Sequence, residues 1–203
     1  MEMKFSMKKI TRIVLGLLVI ALLVSACSSS KSDFYKIAEQ VKESDEDFSN
    51  YNEIFAEYEG GDEIPELEAS SGSSYYYASI PLIKINDLYA SVTVENFHEE
   101  DSIRNSIYLR FKLNDNTGSF NELEKTILGQ LKKDFPKIEY LEEIMDGEVF
   151  KYYGYENEDE NFFVTMTSSE NETMMILDEE KEIEDNVSVY ISKSIPVTDN
   201  GTE

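Results

Sequence analysis

The chain has 203 residues, with 42 acidic and 18 basic side chains and a formal net charge of −24. A chain this acidic is repelled by nucleic acid and by anionic lipid headgroups, which excludes nucleic-acid binding and favours cationic partners. One cysteine rules out an internal disulfide, and 13 Tyr with 11 Phe rule out a disordered composition, so the fold must be held by packing.

Residues 7–27 open with the bases Lys8, Lys9 and Arg12, run apolar from 13 to 24, and close on Val24-Ser25-Ala26-Cys27. That order of basic, apolar and small residues is an export signal. The apolar run is 12 residues, short of the roughly 20 a spanning helix needs. An aliphatic residue, two small residues and then cysteine resembles the lipobox of bacterial lipoproteins. The resemblance covers the signal alone, residues 1–26 and Cys27. It implies a diacylglycerol-type lipid on the Cys27 thiol, cleavage between Ala26 and Cys27, and a protein anchored on the outer face of the cell membrane. Residues 1–26 hold one acid, Glu2, and four bases, Lys4, Lys8, Lys9 and Arg12, which leaves 41 acids, 14 bases and a charge of −27 on residues 27–203. An exported domain with no further cysteine suits a Gram-positive source.

Residues 27–33 are a tether, of which 28–32 reach on the order of 20 Å when extended. Residues 34–59 read as a helical segment. Phe34, Ile37, Val41, Ser44, Phe48, Tyr51, Phe55 and Tyr58 recur at steps of three and four, one amphipathic stripe. Ser44 and Asp47 have the spacing of an internal cap, so one helix and a helix pair are both open. The stripe suits either packing on the chain's own sheet or docking on a membrane protein. Residues 60–74 contain three glycines, four serines, four acids and no base, and read as an acidic linker.

From Tyr75 the period becomes two. Strands are expected at 75–80, limited by Pro81, at 87–95, and most clearly at 106–113. There Ile107, Leu109, Phe111 and Leu113 alternate with Tyr108, Arg110 and Lys112. Residues 114–118 are a turn cluster. Residues 119–135 are the best helix: Ser119 and Glu122 form a capping box, and Leu123, Ile127, Leu128, Leu131 and Phe135 make a core stripe. Strands at 138–145 and 148–155 flank Asp146-Gly147, a hairpin signal. Further strands are expected at 161–167, 173–178 and 187–191, before a polar tail at 196–203. Residues 75–195 therefore read as an α+β domain, a mostly antiparallel sheet with the 119–135 helix packed across it.

Motifs for chemistry are sparse. His98, the only histidine, sits in a polar stretch, so a Ser-His-Asp triad is disfavoured and a zinc site would have one imidazole among carboxylates. Ser28 and Lys31 have a catalytic spacing but lie in the tether, without a scaffold. Residues 114–125 break the EF-hand order, because the glycine falls at the fifth place and a lysine at the twelfth. No catalytic residue, metal ligand or cofactor is therefore assigned, beyond the covalent lipid on Cys27. The candidate binding residues are Tyr75, Tyr76, Tyr77, Tyr152, Tyr153 and Tyr155, because tyrosine offers an apolar ring and a polar tip to a ligand. The expectation is a non-enzymatic accessory lipoprotein for a cationic peptide or other surface ligand. The alternatives are a membrane-complex subunit docking through the 34–58 stripe, and a carboxylate-dependent hydrolase.

Replacing Cys27 by Ser is expected to abolish lipidation and cleavage, leaving residues 1–26 attached. Intact mass and retention on membranes after a high-salt wash check it.

Overall fold

The computed structural model describes residues 31–61, 64–70, 74–145, 148–170, 173–176, 179–182 and 184–197. Ala26 and Cys27 lie outside them. Ser32–Glu203 cluster as one compact unit.

Among the described residues two short helices come first, α1 (Asp33–Lys42) and α2 (Tyr51–Phe55). Four strands follow, β1 (Glu68–Ala69), β2 (Tyr75–Ile85), β3 (Leu88–His98) and β4 (Ser102–Lys112). Helix α3 (Phe120–Asp134) separates these from β5 (Glu139–Met145), β6 (Glu148–Asn157) and β7 (Phe162–Ser169). The hairpin strands β8 (Thr173–Ile176) and β9 (Glu179–Glu182) precede β10 (Asn186–Pro196). Among the described residues eight strands form one sheet in the order β1-β2-β3-β4-β10-β7-β6-β5, with every pairing antiparallel, while β8 and β9 pair only with each other. The result is a mostly antiparallel sheet with few helices, an α+β or mostly-β fold.

One face of this sheet is the core. Ile80, Ile83 and Ile85 of β2, Val92 and Val94 of β3, and Ile107, Leu109 and Phe111 of β4 are buried, as are Val187, Val189 and Ile191 of β10 and Phe162, Val164 and Met166 of β7. Their alternation with wetter neighbours puts them on one side of the pleat. The helices cover that side. Phe34 of α1 meets Phe111 edge-on, with ring centroids 5.8 Å apart. Beyond α3, Phe135 packs on Tyr155 at 5.2 Å, and within it Glu124 accepts a hydrogen bond from Ser168 of β7 at 2.8 Å.

The 34–59 segment is a helix pair, not one rod. Phe48 at the break takes a left-handed φ of 50°, a conformation that costs a bulky residue energy and is offset here by its complete burial. The internal cap also differs from expectation. Asp45, rather than Ser44 with Asp47, arrests the turn, accepting from the Ser49 N–H at 2.9 Å and the Ser49 hydroxyl at 2.7 Å. Phe34, Ile37, Val41, Phe48, Tyr51 and Phe55 are all buried in the chain's own core, so this stripe is not an available docking surface.

A buried polar network fixes the 42–48 turn on the sheet. Asn96 Nδ2 donates to the Glu46 carbonyl at 2.9 Å and to Asn105 Oδ1 at 2.7 Å. Asn105 Nδ2 donates to the Asp45 carbonyl at 2.6 Å and to Ser44 Oγ at 2.9 Å. Lys193 Nζ of β10 donates to the carbonyls of Lys42 at 2.6 Å and Ser44 at 3.0 Å, satisfying carbonyls at the C-terminal end of α1. At the other end of α1, Asp33 and Asn86 form a reciprocal clamp. The Asp33 N–H donates to Asn86 Oδ1 at 2.9 Å, and the Asn86 N–H donates to Asp33 Oδ2 at 2.8 Å.

Other expectations need revision. The described part of 60–74 is no free linker: Ile64 and Leu67 pack on the core, Glu68 and Ala69 pair with β2, and the Tyr51 hydroxyl donates to the Pro65 carbonyl at 2.9 Å. Those two apolar residues anchor a segment whose composition otherwise suggests a spacer. Pro81 does not end its strand. The register slips between Ile80 and Ile83, and the bulge accommodates a residue that cannot donate to the ladder. Asn86-Asp87 is the hairpin turn, both residues at positive φ (48° and 65°), as a primed two-residue turn requires. α3 starts as expected, with both halves of the Ser119–Glu122 capping box formed. Met145 pairs with Glu148, the register of a two-residue connection, while Asp146 and Gly147 lie outside the described residues. Residues 173–178 belong partly to the separate β8–β9 hairpin, and the charged run after them supplies β9.

Phe34→Ala should cost about 3–5 kcal/mol, since it opens a cavity between α1 and β4 that the sheet cannot collapse into. Urea unfolding followed by circular dichroism measures it.

Candidate functional site

The other face of the sheet carries the opposite residues of the same strands, and none of the helices above packs on it. Cross-strand register sets them in rows. One row runs Tyr77, Glu95, Ser106, Ser192, Phe163, Glu156, and the next runs Ser79, Thr93, Tyr108, Tyr190, Thr165, Gly154. Small hydroxyl residues between large rings are what let the rings lie down on the sheet.

Alternation divides the six candidate tyrosines. Tyr75, Tyr77 and Tyr152 stand on this open face. Tyr76, Tyr153 and Tyr155 stand on the helix-covered face, where Tyr153 and Tyr155 pack against the core and Tyr76 meets the His98 ring at 5.6 Å. The two sequence clusters are also far apart. Five strand spacings separate β2 from β6, or about 24 Å. They do not form one site.

Three residues that the sequence reading did not assign to binding fill the space between them. Tyr108 of β4, Tyr190 of β10 and Phe163 of β7 form a chain of rings with centroids 6.5 and 5.6 Å apart. Their pose is fixed from below. The Tyr190 hydroxyl bonds Ser106 Oγ at 2.7 Å, Ser106 bonds Ser192 at 2.9 Å, and Ser192 donates to the Asn105 carbonyl at 3.2 Å. The Tyr108 hydroxyl donates to Ser188 Oγ at 2.8 Å, and the Arg110 guanidinium lies 5.3 Å over the Tyr108 ring. The signal was present in sequence. Each of the three interrupts a buried run on the wet side of an alternating strand, as Tyr108 does between Ile107 and Leu109.

At the β2 end, Tyr75 stacks on Tyr77, centroids 5.7 Å apart and rings 18° from parallel, and donates to Glu95 Oε1 at 2.7 Å. Burial first, then that bond, pushes its ionisation well above the ordinary tyrosine range. At the β6 end, the same face carries a groove of about 310 Å³ lined by Leu141, Tyr152, Gly154, Glu156, Phe163 and Thr165. Gly154 is its floor. A Cβ there would stand 2.9 Å from Leu141 Cδ1 and 3.1 Å from Tyr152 Cε2, so the missing side chain is what keeps the groove open. The charged residues with described side chains on this face of β5, β6 and β7 are Glu139, Glu143 and Glu156, all exposed. Rings beside carboxylates make a place for a cation with an apolar stem: the ring face attracts the charge, and the carboxylate completes the pairing.

Tyr152 is tied to this acidity. Its hydroxyl donates to Glu143 Oε1, and that bond, then desolvation, raises its ionisation to about 12. His98 lies elsewhere, at the end of β3, with Nε2 2.7 Å from Asn96 Oδ1.

Residue-specific NMR titration should find Tyr152 ionising near 12, and Glu143→Ala should bring it down towards 10. Because the folded-state value is the higher one, this bond contributes stability below about pH 10 and loses it as pH rises through 12.

Set against protein-family models, curated proteins and solved structures, the chain matches none.

Proposed function

We propose that the chain is a lipid-anchored extracytoplasmic binding protein for a cationic peptide, held at Cys27 on the outer face of the cell membrane, and that it is not an enzyme. The observation that carries this reading is the groove over Gly154, where Tyr152 and Phe163 stand beside Glu156 with no described basic side chain on that face of β5, β6 or β7. A lysine or arginine entering it would lay its stem on the rings and its charge beside the carboxylate. The wider field agrees in sign, since residues 27–203 carry a formal −27 and would draw cations in.

Against a carboxylate-dependent hydrolase stands the direction of the perturbed acids. Among the described residues, the acids with a resolved shift are Asp45, held by Ser49, Glu122, held by Ser119, and Glu184, held by Lys112 and Asn114, and each is shifted towards staying ionised. A glycosidase acid needs the opposite shift, upwards, to keep its proton at neutral pH. The membrane-complex reading would have to use other side chains than Phe34, Ile37, Val41, Phe48, Tyr51 and Phe55 of the 34–58 stripe, which are buried.

Calorimetry of the full lipidated chain in detergent with a tetralysine peptide tests the reading. Phe163→Ala and Gly154→Val should each weaken binding about tenfold, consistent with losing one ring–cation contact or the space for it. Raising salt should weaken it further. Binding unchanged by both substitutions would move the ligand off this face.

A further inference from the structure

The two ends of the large sheet are treated differently. At one end the exposed edge belongs to β1, only two residues long, and β2 behind it carries the Pro81 bulge. Both are ordinary ways of blunting an edge. At the other end stands β5, seven residues without proline or bulge, paired to β6 in unbroken register from Glu139 to Met145. Glu139, Tyr140, Leu141, Glu142, Glu143 and Ile144 are all exposed, and among the described residues β6 is the only strand that pairs with β5. Nothing described covers the outer row of backbone donors and acceptors.

The hairpin also stands proud of its neighbour. β6 pairs with β7 only from Tyr153 to Asn157, so the β5–β6 arm beyond Leu141 and Tyr152 is two strands wide. Ile144 and Val149 are 77% and 55% exposed there, and Phe150 is 46% exposed. A two-stranded arm with apolar side chains in water is marginal alone and gains from a third strand.

We infer that the β5 edge receives an extended basic–apolar peptide as an added strand, which would place that peptide beside the groove over Gly154. This deepens the binding role proposed above and rests on it. Leu141 belongs to both the edge strand and the groove lining, so the two surfaces are continuous. Charge selects the occupant. A second copy would bring its own Glu139, Glu142 and Glu143 to the same edge and add like charge there, whereas a basic strand neutralises them. Backbone bonds supply the pairing, and the order of β5 supplies the selectivity. Opposite Glu-Tyr-Leu-Glu-Glu-Ile, the complementary antiparallel strand reads apolar, basic, basic, apolar, apolar, basic.

The test uses the full lipidated chain in detergent and a synthetic peptide of that pattern built from valine and lysine. Two further versions are N-methylated at alternate residues, one set on each edge. Hydrogen exchange and calorimetry are the readouts. The expected result is slowed exchange of amides within β5, tenfold or greater weakening by methylation on one edge, and little effect from the other. Binding that neither methylated peptide weakens, with no protection of β5, overturns strand addition and leaves the groove reading intact. No binding by any of these peptides or by tetralysine overturns both. Protection of β5 that grows with protein concentration alone makes a second copy the occupant and overturns the basic-peptide assignment.

Discussion

The molecule is organised by the burial of one sheet face beneath α1 and α3. Phe34 and Ile37 of α1, with Ile127 and Leu131 of α3, join the strand isoleucines and valines in a single apolar layer. Each such side chain contributes about 1.5–3 kcal/mol by leaving water. The layer could not close without its polar seam. α1 ends over the sheet, and the carbonyls of Lys42, Ser44 and Asp45, at its end and in the turn after it, would be desolvated there without partners. Lys193 and Asn105 supply them, and burial lowers the ionisation of Lys193, the mark of a cation held for its donors rather than displayed.

Everything proposed about binding follows from that one-sidedness. Because helices occupy one face, the residues that alternate with the core are left to water, and there the chain sets rings on a bed of serine and threonine. The hydroxyl relay from Tyr190 through Ser106 and Ser192 to the Asn105 carbonyl joins the open face to the network on the covered one. A surface prepared in this way needs little reordering on contact, so less of the gross interaction is lost to entropy.

Local signals in the sequence read well. The capping box of α3, the alternation of β4 and the pairing of β5 with β6 across a two-residue connection depend on near neighbours, and each element formed where its pattern lay, with β4 extending further towards its N-terminal end. What was not legible depended on distant partners. Six tyrosines look like two groups along the chain, but only the strand order separates them, and only the pleat divides each group between faces. Residues 60–74 have a spacer's composition, and the cradle that receives Ile64 and Leu67 is made elsewhere in the chain. Phe163 and Tyr190 could be seen on the wet side of alternating strands, but that they join Tyr108 in one surface depends on register with strands far away in sequence. The export signal proposed for residues 1–26 is the converse case. It can be read from its own residues without knowledge of the fold.

The Asp33–Asn86 clamp has a mechanical consequence. Asp33 is the first residue of α1, and its partner sits in the β2–β3 turn, 53 positions away along the chain. Tension entering at the amino end of this domain therefore meets two opposed hydrogen bonds before it reaches the first helical turn. The load is handed to a long hairpin, which resists as a unit, rather than peeling the helix residue by residue from its first turn.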